Sequence, residues 1–192
     1  MRWDRFFEDL EDQLDSEWEA ERAALDTEAE RLRLAKLTLR ERLSAAANAE
    51  PVIDLIDGSA VTGRLAGIGA DWVAVSLGER VVLVPFLAIV AVALPHVDVL
   101  RSARPTPGAR LSERMTFGYA LRDLVRRRCT VVVRTASGRE VTGTIDRAGA
   151  DHFDLAMHDV GAPRRAAELR GHRIVPFTAI ASVVVEGDGL RI

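Results

Sequence analysis

Along the first 47 residues, large apolar side chains fall at Trp3, Phe7, Leu10, Leu14, Trp18, Leu25, Ala29 and Leu32. Most of the steps are three or four residues, which puts these side chains on one face of a helix. Residues 4 to 47 hold no Gly or Pro and are rich in Ala, Leu, Glu and Arg, so the segment 1–50 is predicted as a long helix. Glu21 and Arg22 interrupt the stripe, which leaves a sustained coiled coil open. Two shorter helices are the alternative, because Thr27/Glu30 and Thr38/Glu41 both have capping-box spacing. After Pro51 the pattern changes to short β-type runs over 52–56, 60–65, 72–77, 81–84 and 87–94. Asp57-Gly58, Gly67-Ile68-Gly69 and Gly78-Glu79 supply the turns between them. So many short strands in succession predict a small antiparallel barrel over 51–95.

The same pattern returns. Residues 96–110, with Pro105, Pro107 and Gly108, read as a linker. A helix is predicted over 111–128, with Phe117, Leu121, Leu124 and Val125 on one face. Strand-like runs follow over 129–135, 140–145, 152–157, 173–176 and 178–186, giving a second barrel in 129–192. Slid by 80 positions, seven of the 19 residues in 57–75 match those in 137–155, among them Gly58/Gly138, Gly63/Gly143, Gly69/Gly149 and Asp71/Asp151. Chance would give roughly one or two such matches. Both copies then reach the same phrase, Val84-Pro85-Phe86 with Ala88-Ile89 and Val175-Pro176-Phe177 with Ala179-Ile180, at an offset of 91. An insertion of 11 residues therefore lies between the third and fourth strands of the second copy, in a basic loop. Leu37-Thr38-Leu39-Arg40 echoes Met115-Thr116-Phe117-Gly118 ahead of the two strand sets. An internal duplication is thus expected, with each unit a helix plus five strands.

Charge changes this picture more than composition does. The net charge is −3, yet residues 1–30 carry twelve acids against Arg2, Arg5 and Arg22. Residues 101–147 carry eleven arginines against four acids. Such polarity implies that the two halves meet each other or meet separate partners. Cys129 stands alone, so no intramolecular disulfide is expected. The start lacks the basic and apolar regions of a secretion signal, and the longest apolar run, 81–94, is broken by Pro85 and too short for a bilayer. A cytoplasmic protein without a membrane partner is expected.

A helix followed by five short bent strands, with Gly63 in the second and Asp71-Trp72-Val73 opening the third, resembles the Sm-like fold. The likeness is closest to the bacterial Hfq-type RNA chaperones, over residues 55–95. In the second copy Leu169-Arg170-Gly171-His172 resembles the Arg-Gly element of archaeal and eukaryotic Sm proteins. The resemblance implies tandem Sm-like, SH3-like barrels and assembly through strand edges. It does not carry RNA-contact residues across, because the Tyr-Lys-His of the bacterial family is replaced by Val84-Pro85-Phe86-Leu87 and Val175-Pro176-Phe177-Thr178.

Candidate chemistry is sparse. Arg126, Arg127, Arg128, Arg134, Arg139, Arg147, Arg164, Arg165, Arg170 and Arg173 are positioned in sequence to track phosphates. An aromatic content of 5% argues instead for a solvated face, since single-strand binders stack bases on rings. His152 and His158 with Asp151, Asp154 and Asp159 form the His/Asp cluster, but no zinc spacing matches, so no metal or cofactor is expected. Gly67-Ile68-Gly69 lacks the following helix of a dinucleotide site, and no nucleophile or phosphate-loop motif occurs, so no enzyme is expected. Trp3, Phe6, Phe7, Leu10, Leu14 and Trp18 are the candidate contacts for a protein partner. The leading expectation is a self-associating scaffold or adaptor; the alternative is an RNA- or DNA-binding regulator.

Overall fold

The computed structural model describes residues 2–47, 49–104, 114–158 and 170–185, with the side chains of residues 2–12, 14, 15, 17 and 20 outside that description. The chain forms two compact units, residues 1–39 and 40–192. The first unit is built on helix α1, Arg2–Ala35, which at ~1.5 Å per residue runs for about 50 Å. Of the two capping boxes, only the second marks a helix start. Thr38 directly precedes α2, Leu39–Ala45, whereas Thr27 lies inside α1 and its hydroxyl donates to the Ala23 carbonyl at 2.7 Å.

The remainder is mainly β. The first repeat supplies β1 (Val52–Leu55), β2 (Ala60–Thr62), β3 (Arg64–Ile68), β4 (Trp72–Leu77), β5 (Arg80–Pro85) and β6 (Ile89–Ala93). Helix α3, His96–Ser102, lies within the stretch read as a linker, and α4, Phe117–Arg127, leads into the second repeat. That repeat contains β7 (Thr130–Thr135), β8 (Glu140–Ala148), β9 (His152–Met157), β10 (Gly171–Pro176) and β11 (Ile180–Val185). A 3-10 turn at Phe86–Ala88 separates β5 from β6, and one at Phe177–Ala179 separates β10 from β11. The basic insertion, with Arg164 and Arg165, lies outside the described residues.

The strands make two antiparallel sheets, β2-β1-β6 and β10-β9-β8-β7-β11-β5-β4-β3. Closed barrels were expected and none forms among the described residues. Two physical reasons account for this. Gly63 breaks the second strand of the first repeat into β2 and β3, so its pairings fall in separate sheets. In addition, β11 gives its free edge to β5 of the other repeat, with Val183 opposite Leu83 and Val185 opposite Val81, rather than to its own β10. Across the bend at Gly63 the two repeats still follow one strand order, last-first-second-third-fourth. Gly63 and Gly143 are repeated for a steric reason: a Cβ at either would run into a carbonyl oxygen of the next strand, Ser76 or Ala156.

Each repeat fills its core from corresponding positions. Leu43, Ile53, Leu65, Val73, Val75 and Val84 are buried in the first. Leu121, Val133, Ile145, Phe153, Leu155 and Val175 are buried in the second. The second core reaches further, because it also takes in Trp72, Ala74 and Leu83 from the first repeat. Alternate residues of β4 and β5 therefore serve both cores, which is why these strands read as unbroken apolar runs.

Candidate functional site: two joint surfaces, one filled and one open

Among the described residues the candidate arginines divide between carboxylate pairs and one groove. Arg126 and Arg127 both bind Asp123, at 2.7 Å each. Burial pushes the Asp123 carboxyl up, but hydrogen bonds and charge from the two arginines outweigh it and hold the group below the usual carboxylate range. Arg128 is the left-handed C-cap of α4, with φ 53°. Arg134 is held by Glu140 and lies 3.7 Å from Asp57, across the two repeats. Arg139 and Arg170 are exposed, and Arg173 lies on the outer strand β10. Arg147 and Arg173 come together in one groove, while Arg126, Arg127 and Arg134 sit against carboxylates elsewhere.

The His/Asp cluster also divides. His158 is buried, with Nε2 2.8 Å from the Thr144 hydroxyl. His152 is exposed, and its bond to Asp151 holds that carboxyl below its ordinary value. Asp159 lies outside the described residues. Among the described residues no group of three metal-ligating side chains converges. Burial raises the Cys129 thiol, leaving little reactive thiolate.

On α1, Trp18 is 71% exposed, and Leu25 and Leu32 are exposed along the same helix. The side chains of Trp3, Phe6, Phe7, Leu10 and Leu14 lie outside the described residues. Positions 3, 7, 10, 14, 18, 21, 25, 29 and 32 recur with an 11-residue period, and only Glu21 among them is polar. That period matches a right-handed rather than a left-handed supercoil. No helix among the described residues is long and apolar enough to cross a membrane.

The joint between the repeats is the most completely built surface. Asp71 and Trp72, at the β3–β4 turn, hold the segment entering α4. The Phe117 N–H donates to Asp71 Oδ1 at 2.6 Å. The Met115 carbonyl accepts from Trp72 Nε1 and from the Ala70 N–H, both at 2.9 Å. Trp72, 3% exposed, and Leu83, fully buried, form the apolar floor. Gly69 is needed here, since a Cβ would strike the Trp72 ring and crowd the Met115 carbonyl at 2.6 Å.

The corresponding surface of the second repeat is open. By the two offsets, Ala66, Trp72, Ala74, Val81 and Leu83 correspond to Asp146, His152, Asp154, His172 and Ile174. Ile174 is 73% exposed where Leu83 is fully buried. Asp146, Arg147, Asp154, His172, Arg173 and Ile174 line an open groove of about 410 Å³, and His172 Nε2 lies 3.5 Å from Asp146 Oδ2. Among the described residues, the strand carrying Ile174, β10, is an edge strand. At the other end of the tandem, β6 is also an edge, and Val90 is 65% exposed where its counterpart Ala181 is fully buried. Of the groove's lining, Arg147, Arg173 and Asp154 stand out in the sequence, whereas Asp146, His172 and Ile174 do not. The aligned differences between copies were its available signal. No known protein family, curated protein or solved structure matches this chain.

Proposed function

We propose that this protein is a non-catalytic, self-associating scaffold made of two Sm-like units. Strand order supports the likeness, since each repeat places its last strand beside its first and leaves its third and fourth at the far side. One observation carries the assembly: β5 and β11 pair across the repeats, while their counterparts β10 and β6 are edges among the described residues. Unpaired strand edges are templates for further pairing. The two edges differ, so joining them is head-to-tail, and each added chain presents the same two ends again. The exposed stripe of α1 offers a second surface for association.

The nucleic-acid reading draws less support. Arg126, Arg127 and Arg134 are already occupied by Asp123, Glu140 and Asp57, and exposed pairs of this kind hold their arginines only weakly. Molar mass by light scattering, measured from dilute to concentrated protein with and without mixed RNA, tests the proposal. Growth of mass with protein concentration supports the scaffold. A single-chain mass throughout overturns it, and a rise only on adding RNA transfers support to the alternative.

A further inference from the structure

Along α1, Trp18, Leu25 and Leu32 are each more than half exposed. They belong to the row of nine positions, 3 to 32, that repeats every 11 residues along the backbone of this single 34-residue helix. At 3.6 residues per turn the nine fall within an arc of about 100°, one continuous face. A seam about 50 Å long and about 10 Å wide covers on the order of 500 Å² of a helix. Two helices sharing it bury about 1,000 Å² together, the size at which a specific interface begins.

The row has a centre. Each position lies within one residue of its mirror image about Trp18, and α1 itself, Arg2–Ala35, is centred at the same place. Two copies of α1 running in opposite directions and crossing at Trp18 therefore overlap along their whole length with the two rows in register.

Two asymmetries along the row select that direction. The first is size. Its N-terminal end carries Trp3 and Phe7, and its C-terminal end carries Ala29 and Leu32. Antiparallel pairing sets large residues opposite smaller ones and keeps the helix spacing even, whereas parallel pairing sets large on large at one end and small on small at the other. It also sets the one polar position of the row, Glu21, opposite Leu14, whereas parallel pairing brings two Glu21 carboxylates together in the seam.

The second asymmetry is charge. Residues 2–21 carry nine acids against Arg2 and Arg5, a net of −7. Residues 22–35 carry three acids and three bases, a net of zero, with Arg33 on Glu30 at 2.7 Å and Arg31 3.8 Å from Glu28. Parallel pairing lays two strongly acidic halves side by side. Antiparallel pairing lays each acidic half along a neutral one, which lowers the repulsion. We infer that α1 pairs with α1 of a second copy of this chain, antiparallel and centred on Trp18. This rests on the self-association proposed above and gives it a joint separate from the strand edges. The 11-residue period gives the pair a right-handed winding.

Sedimentation of the full-length chain across protein concentration tests the surface. Trp18→Glu/Leu25→Glu, at two exposed positions, should move the midpoint of assembly to a concentration at least about tenfold higher. Glu21→Leu, which completes the row, should move it about tenfold lower. Circular dichroism melts establish that the variants are folded. Disulfide trapping tests the direction, and serves also if the double variant does not fold. In a Cys129→Ala background, Leu10→Cys and Leu25→Cys should each give little covalent dimer alone, and an equimolar mixture of the two should give it readily. Self-trapping by Leu25→Cys as efficient as in the mixture means parallel helices and overturns the inference. Absence of trapping in the mixture, or a midpoint indifferent to all three substitutions, shows that α1 is not the joint, while self-association stands through another surface. A wild type that never exceeds one chain sinks both proposals.

Discussion

Leu83 and Ile174 occupy the same position of the two repeats, and the structure assigns them opposite energetic roles. Leu83 is fully buried, paired across strands with Ala74 and Val183, and shares a core with Trp72 and Val185. Leu83→Ala removes buried methyl and methylene groups and leaves a cavity, a loss of about 2–5 kcal/mol. Taking about 3 kcal/mol, and roughly 2–4 °C per kcal/mol for a unit of this size, the melting temperature should fall by about 6–12 °C. Ile174 is 73% exposed, so Ile174→Ala should cost no more than about 0.5 kcal/mol at dilutions where the chain is single. Trp72 is a ready reporter, because it is buried whereas Trp18 is 71% exposed. In a Trp3→Phe/Trp18→Phe background, urea unfolding followed by Trp72 fluorescence and by circular dichroism should coincide, since one core spans both repeats. Equal small losses for Leu83→Ala and Ile174→Ala would refute the joint. Two separate transitions would refute the shared core.

Gly143→Ala drives a Cβ into the Ala156 carbonyl, so thermal melts should show a loss of about 1–3 kcal/mol, with Gly63→Ala similar through Ser76. Thr144→Val removes the hydroxyl beside buried His158 and should cost about 1–3 kcal/mol in urea titrations, while surface Thr178→Val should be near neutral. Burial pushes the Asp57 carboxyl up, but the Ser59 hydroxyl and N–H and the Arg134 charge more than offset this and hold it below its ordinary value. A carboxyl lowered by folding adds stability that is complete above its unfolded pKa of about 3.9 and is lost as pH falls through the lower folded value. Melting temperature should therefore fall less steeply below about pH 4 in Asp57→Asn than in the wild type.

The sequence by itself determined the duplication, the helix ahead of each strand set and most strand positions, because those follow from local periodicity, Gly and Pro punctuation and self-similarity. Trp72–Leu77 and His152–Met157 fall where their alternation and turns put them. Local pattern also favours closed barrels, and there it stops being informative. Whether β11 returns to β10 or crosses to β5 depends on edges more than 90 residues apart in sequence, which no local pattern compares. The same limit hid the site. Trp72 and His152 are merely aligned residues until the sheet shows one sealed under Met115 and Phe117 and the other facing solvent. Counting along the chain grouped the arginines, whereas the structure sets Arg126, Arg127 and Arg134 against Asp123, Glu140 and Asp57 and brings Arg147 and Arg173 into one groove. Local preference wrote the two units; only long-range pairing decided which faces were filled and which were left open.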